Sequence, residues 1–133
     1  MMIALDTNVL VRYIVQDDAA QSSIANQLID QYAGQKQSIF LNNIVLCELV
    51  WVLERGYKYS RSNICNALRN ILSSTEFCFE NQDILWRALA DYETTGADFA
   101  DALIGKLNYK KYHCSKTFTF DQGTIRLEEF ARL

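Results

Sequence analysis

Ile3-Ala4-Leu5-Asp6-Thr7-Asn8-Val9-Leu10-Val11-Arg12-Tyr13-Ile14 is an apolar run broken by three polar residues and then resumed. The run before the break suits a short strand, Ile3 to Leu5. The run after it, Val9 to Ile14, suits a short helix. The same change of period recurs along the chain. Asp17 and Asp18 offer a cap for a helix from Ala19 to Tyr32, with Ile24, Leu28 and Tyr32 on one stripe and Gly34 past its end. Ser38 to Leu41 predicts a second strand. Asn42 and Asn43 can cap a helix from Val45 to Arg55, which Gly56 ends, and Ser60 or Ser62 opens another running to Ser73 with Ile64, Leu68, Ile71 and Leu72 in register. Glu76 to Glu80 alternates like a strand. Asn81 then caps a helix through Tyr92, stopped near Gly96, Asp98 starts one to about Tyr112, and Lys116 to Phe120 predicts a last strand, followed by a short helix and a frayed tail.

Strands separated by helical segments predict an α/β fold, a central and mainly parallel sheet sandwiched between helices in three layers. The chain has 133 residues, half of them hydrophobic, no proline and only five scattered glycines. That is enough for one core and offers no linker, so a single domain over 1–133 is expected. No apolar run has transmembrane length, and the opening residues lack a basic n-region, so the expected location is cytoplasmic, away from membrane. Cys47, Cys65, Cys78 and Cys114 are widely spaced and His113 is the only histidine, which disfavours zinc and predicts buried or partly buried free thiols.

In open parallel sheets the functional crevice lies beyond the carboxyl ends of the strands. Asp6 and Asp121 each follow a predicted strand, and Glu48, Asp98 and Asp101 fall in the first turns of predicted helices. Carboxylates gathered from distant segments repel one another unless a cation holds them. Glu48 makes the strongest single case, because Val45, Leu46, Cys47, Leu49, Val50, Trp51, Val52 and Leu53 surround it in sequence and an unpaired carboxylate among apolar side chains is costly. A helix with one exposed edge is the competing explanation. Helix capping alone would likewise justify Asp98 and Asp101, and turn chemistry Asp6 and Asp121. Thr7, Asn8 and Thr119 are placed to donate hydrogen bonds that orient neighbouring carboxylates. An oxygen-only donor set selects a hard cation, Mg²⁺ or Mn²⁺.

The net charge of −3 argues against retention on nucleic acid by bulk charge, yet eleven of the thirteen basic residues follow Glu54. Arg55, Lys58 and Arg61, with Tyr57 and Tyr59 between them, could guide phosphate and stack a base, or meet a protein partner.

Four segments, Ile3-Ala4-Leu5-Asp6-Thr7-Asn8-Val9-Leu10, Leu46-Cys47-Glu48-Leu49, Asp98-Phe99-Ala100-Asp101-Ala102-Leu103-Ile104 and Thr117-Phe118-Thr119-Phe120-Asp121, resemble in order and spacing the PIN domain, in particular the VapC-type toxins of prokaryotic toxin–antitoxin pairs. The resemblance implies a Mg²⁺-dependent endoribonuclease with Asp6, Glu48, Asp101 and Asp121 as its acids and Asp98 as a frequent additional one. It also implies Thr7, Asn8 and Thr119 in or beside the site, an RNA substrate, a cognate antitoxin as partner, and a homodimer. Primary metal contacts are expected from Asp6 and Asp101, water positioning or ligation from Glu48, and an outer or second-metal role from Asp121. A catalytically silent PIN domain that binds RNA or serves assembly is the alternative. A haloacid-dehalogenase-type phosphatase would need an aspartate where Asn8 stands, and a phospho-accepting receiver domain would need paired acids early in the chain.

Overall fold

The structure, a computed structural model, describes residues 2–133, so the first residue of the expected domain lies outside the described residues. The chain forms two compact units, one ending at Glu80 and the other running from Asn81 to Leu133.

In the first unit the order is β1 (Ile3–Ala4), α1 (Thr7–Val15), α2 (Ala19–Gln31), β2 (Ile39–Leu41), α3 (Asn43–Arg55), α4 (Arg61–Ser73) and β3 (Phe77–Phe79). The three strands pair parallel in the order β1-β2-β3, with Ile3 opposite Ile39 and Ile39 opposite Phe77. Each helix begins at a side chain able to accept from its unpaired first-turn amides. Asp18 accepts from Gln21, Asn42 from Val45 and Ser60 from Asn63. The buried face of α3 is Val45, Leu46, Leu49, Val50 and Leu53, and that of α4 is Ile64, Cys65, Leu68, Ile71 and Leu72, spacings of three and four that give one apolar stripe per helix. On α2 the buried stripe is Ser22, Ala25 and Ile29, not the expected Ile24, Leu28 and Tyr32; Ile24 is 68% exposed. Two overlapping stripes fit the same period, and the one with smaller side chains faces inward.

The second unit runs α5 (Gln82–Thr95), α6 (Phe99–Lys106), a π-helical segment Leu107–Lys111, β4 (Thr117–Thr119), a 3₁₀ turn Thr124–Arg126 and β5 (Phe130–Arg132). Asn81 precedes α5 but makes no capping hydrogen bond through its side chain, and α5 ends at the expected Gly96, whose φ of 78° lies in the left-handed region that glycine adopts without cost. The helix expected from Asp98 to Tyr112 is α-helical only to Lys106. Beyond it the turns widen to the π pattern, which leaves the spacing of side chains too similar for a periodicity argument to detect.

The frayed tail expected after Asp121 is instead β5, parallel to β4, with Thr117 opposite Phe130 and Thr119 opposite Arg132. Its anchors are side chains. Phe130 is buried against Gly105, where an added Cβ would come within 2.5 Å of the Phe130 ring. Lys106 Nζ bonds Glu129 at 2.7 Å and Asp91 at 2.9 Å, and Lys116 donates to the Glu128 carbonyl. Burial by itself would lower the Lys106 ammonium, but hydrogen bonds to Glu129 and Asp91 outweigh it and hold the pKa above the ordinary lysine value.

The strand pairs are all parallel, as an α/β fold of strands joined through helices and turns requires. No helix among the described residues is long and apolar enough to cross a membrane. Cys65 is buried and Cys47 and Cys78 half-buried, but Cys114 is exposed, a departure from the expected burial of all four thiols.

Candidate active site

In the first unit a single threonine holds two acids. Asp6 ends the β1 segment with extended backbone and caps α1: its Oδ1 accepts from the Thr7 amide at 2.7 Å. The Thr7 hydroxyl donates to Glu48 Oε1, also at 2.7 Å, across 41 residues of chain. Thr7 is buried at 9% exposure, so the hydroxyl needs a partner, and Glu48 supplies it. These bonds leave Asp6 Oδ2 and Glu48 Oε2 for other use. Asp6 itself is exposed.

Glu48 is also exposed, which overturns the cost argument drawn from its sequence neighbours. The apolar residues around it belong to the buried face of α3, whereas Ile44, Glu48, Trp51 and Arg55 occupy the exposed one. The carboxylate therefore gains its standing from Thr7 and not from burial. Asn8 is exposed on the first turn of α1, beside a cleft of about 250 Å³ that also touches Arg12 and Ile24.

A second threonine repeats the arrangement in the other unit. The Thr124 hydroxyl lies 2.9 Å from Asp121 Oδ2 and 3.3 Å from Asp101 Oδ2. One hydroxyl carries one proton, so it satisfies one carboxylate at a time and leaves charge on the other. Burial above all raises the Asp101 pKa, Asp98 raises it further, the Thr124 hydrogen bond opposes them, and the Asp121 charge adds least. Asp121 is fixed by the turn it opens, its Oδ1 accepting from the Gly123 amide at 3.0 Å and its carbonyl from the Thr124 amide. Thr124 is buried at 3% exposure and escaped the sequence reading, although its place three residues after Asp121 is the spacing that lets a hydroxyl return to the preceding acid.

Asp98 acts as the cap of α6, its Oδ2 accepting from the Asp101 amide at 3.4 Å. Thr119 accepts from the Asp121 amide through its hydroxyl instead of being seen to donate to a carboxylate. Two of the residues in the segment expected to meet RNA, Arg55 and Tyr57, are engaged with protein neighbours. Arg55 lies over the Trp51 ring at 5.2 Å, and Tyr57 packs edge to face with Tyr59 while its hydroxyl donates to Asp17 and accepts from Arg12. Lys58 is exposed with a positive φ, and Arg61 is half-buried.

Among the described residues no three His, Cys, Asp or Glu side chains already stand grouped to hold a metal ion. The chemistry of the donors nevertheless fits Mg²⁺: two carboxylates share one hydroxyl proton, all donors are oxygen, and this cation binds through one or two carboxylates and keeps waters. The raised Asp101 pKa has a consequence in the metal-free protein. The folded chain holds that proton to higher pH than the unfolded chain, so stability falls as pH rises from the ordinary carboxylate range through the raised value, then levels off. Asp101→Asn is expected to raise the unfolding temperature of the metal-free protein at neutral pH and to reduce any rise caused by Mn²⁺. Thermal unfolding with and without the ion measures both.

Residues 3–131 match the model of the PIN domain, and the chain belongs to that family. It is 28% identical over 99 residues to a VapC ribonuclease of Aquifex aeolicus (strain VF5), an alignment covering 74% of this chain and 73% of that protein.

Proposed function

We propose that this protein is a Mg²⁺-dependent endoribonuclease, the toxin of a toxin–antitoxin pair, acting in the cytoplasm as a homodimer and held in check by a cognate antitoxin. The observation that carries the reading is the pair of threonine-held acid couples, Asp6 with Glu48 on Thr7 and Asp101 with Asp121 on Thr124. Membership of the PIN family and the likeness to a VapC ribonuclease support the nuclease class.

Asp101 and Asp121 are the residues of the second unit that would hold an ion, with Asp98 able to join if it leaves its capping bond, and Asp6 is proposed as a ligand on the strength of its sequence motif. When bound, Mg²⁺ supplies a water of lowered pKa and offsets charge on the leaving oxygen of the phosphodiester. The chain's own work is orientation. Thr7 fixes one Glu48 oxygen, so the other is aimed in a defined direction and can order a water. Thr124 holds Asp121 and Asp101 against their mutual repulsion. No side chain is required as a covalent nucleophile.

Incubation with a structured RNA decides the matter. Cleavage that needs added Mg²⁺ or Mn²⁺, stops with EDTA and yields internal fragments is the expected result. RNA binding with neither cleavage nor Mn²⁺ uptake would overturn it and point to a silent assembly module. Growth arrest on expression, relieved by a co-expressed neighbouring small protein, tests the toxin half separately.

A further inference from the structure

We propose that the segment from Tyr109 to Ser115 forms a second contact for single-stranded RNA, outside the acidic couples. The proposal deepens the nuclease reading and rests on it for the identity of the polymer. From Ala102 to Phe120 the chain carries four lysines and no acid, in a protein whose net charge is −3; Lys106 is buried against Glu129 and Asp91 and Lys116 bonds the Glu128 carbonyl, which leaves Lys110 and Lys111 exposed on the turn. Within the second unit this stretch leaves α6 through the π-helical turns, and the wider winding is closed by Tyr112 N–H donating to the Leu107 carbonyl at 3.2 Å and Cys114 N–H to the Asn108 carbonyl at 2.9 Å. His113 completes the turn at a φ of 59°, a left-handed conformation costly for a residue with a Cβ. Such strain is kept where the surroundings fix it, and it concentrates at functional segments.

This backbone shapes an open cleft of about 560 Å³ lined by Tyr109, Lys110, His113, Cys114, Ser115 and Asp83. The chemistry of the lining is that of one nucleotide. Tyr109, 50% exposed, offers an aromatic ring to a base, and Lys110 an ammonium to the phosphate. Ser115 has a hydroxyl for sugar or phosphate oxygens, and the one acid, Asp83, sits at the wall as an acceptor for a base amino group. Next to it Tyr112 is 63% exposed, with the Lys111 ammonium 5.5 Å from its ring centre, which extends the alternation of aromatic and cationic groups by another step. Exposed tyrosines interleaved with lysines suit single strands, whose bases are splayed and can stack, better than a duplex whose bases are not. The expected RNA contact at Arg55 to Arg61 has by contrast spent its Tyr57 hydroxyl on Asp17 and Arg12.

Anisotropy of a fluorescein-labelled single-stranded oligoribonucleotide, titrated with the full chain carrying Asp6→Asn in EDTA, tests the cleft without cleavage. Tyr109→Ala is expected to weaken binding by about 5- to 150-fold, the range for loss of one stacked base. Lys110→Gln is expected to lower the slope of log affinity against log salt by about 0.7, the signature of one lost phosphate contact on a single strand and one that a merely structural role does not produce. Both residues are exposed, and an unchanged unfolding temperature shows that each variant is folded. Affinity within twofold and an unchanged slope in both variants overturn the proposal, including the case in which the variants lose self-association or a protein partner instead. Sensitive binding by a chain whose unsubstituted form never cleaves RNA leaves the cleft standing and removes the nuclease reading; unaltered cleavage and binding by the variants does the reverse.

Discussion

Asp6→Asn and Asp101→Asn are each expected to reduce metal-dependent RNA cleavage by at least about 100-fold, because even partners behind a metal ligand are worth about 10- to 100-fold. The substitutions keep shape and hydrogen-bonding capacity. Asparagine at position 6 still presents an oxygen to the Thr7 amide, and at position 101 still presents one to Thr124, so the change is chiefly one of charge. The double variant discriminates further. If acids in both units serve one activity, the losses are far from additive, since residues acting as a unit forfeit most of the rate when the first is removed. Additive losses, or cleavage that survives Asp6→Asn, would show that the two couples do not act together or that the activity belongs to a contaminant. Thr124→Val should fall between wild type and these variants, removing the shared proton donor while leaving both carboxylates. Initial rates at fixed Mn²⁺ give all four numbers.

The second large effect is on stability. Lys106→Met is expected to destabilise the protein by about 3–5 kcal/mol, the usual consequence of removing one partner from a buried ion pair. Its partner Glu129 has a side chain only 3% exposed and an Oε1 already without a hydrogen bond, so the orphaned carboxylate has nowhere to turn. Adding Glu129→Leu should recover much of the loss, because two apolar groups need no compensation. Urea titration of the three proteins at pH 7 checks this. A single variant as stable as the parent would mean that water reaches Glu129. The elevated Lys106 pKa sets the sign of the alkaline limb: the stabilisation is fully present below the ordinary lysine value and disappears as pH rises through the higher folded one.

Much of this architecture can be read without coordinates where local chemistry decides it. The caps at Asp18, Asn42 and Ser60 are short polar side chains placed before apolar stripes, and each makes the expected bond. Asp6 and Asp121 were legible as acids after strands for the same reason. What escaped depends on pairing over distance. The tail after Asp121 reads as polar because Glu128 and Glu129 stand in it, and only Lys106, 23 residues earlier, turns Glu129 into an anchor for β5. Glu48 misled in the opposite sense, since eight apolar neighbours in sequence project mostly to one side of a helix and leave the ninth residue in water. Thr124 carries no motif of its own. Its importance is visible only when the turn brings its hydroxyl to two carboxylates at once.

Parallel strands are usually joined by a crossover of a dozen or more residues, often a helix. Here β4 ends at Thr119 and β5 begins at Phe130, and the link between them is the turn that carries Asp121 and Thr124. The connector thus also carries the acidic couple proposed as part of the site, so its length is a variable separate from strand pairing. Added residues between Asp121 and Thr124 would cost little in chain entropy, about 0.6 kcal/mol per doubling of the loop, while β5 stays anchored through Glu129 and Phe130. They would nonetheless pull the hydroxyl from its acids. If the proposed site is real, a lineage could in this way silence it by a small insertion that leaves the rest of the unit intact.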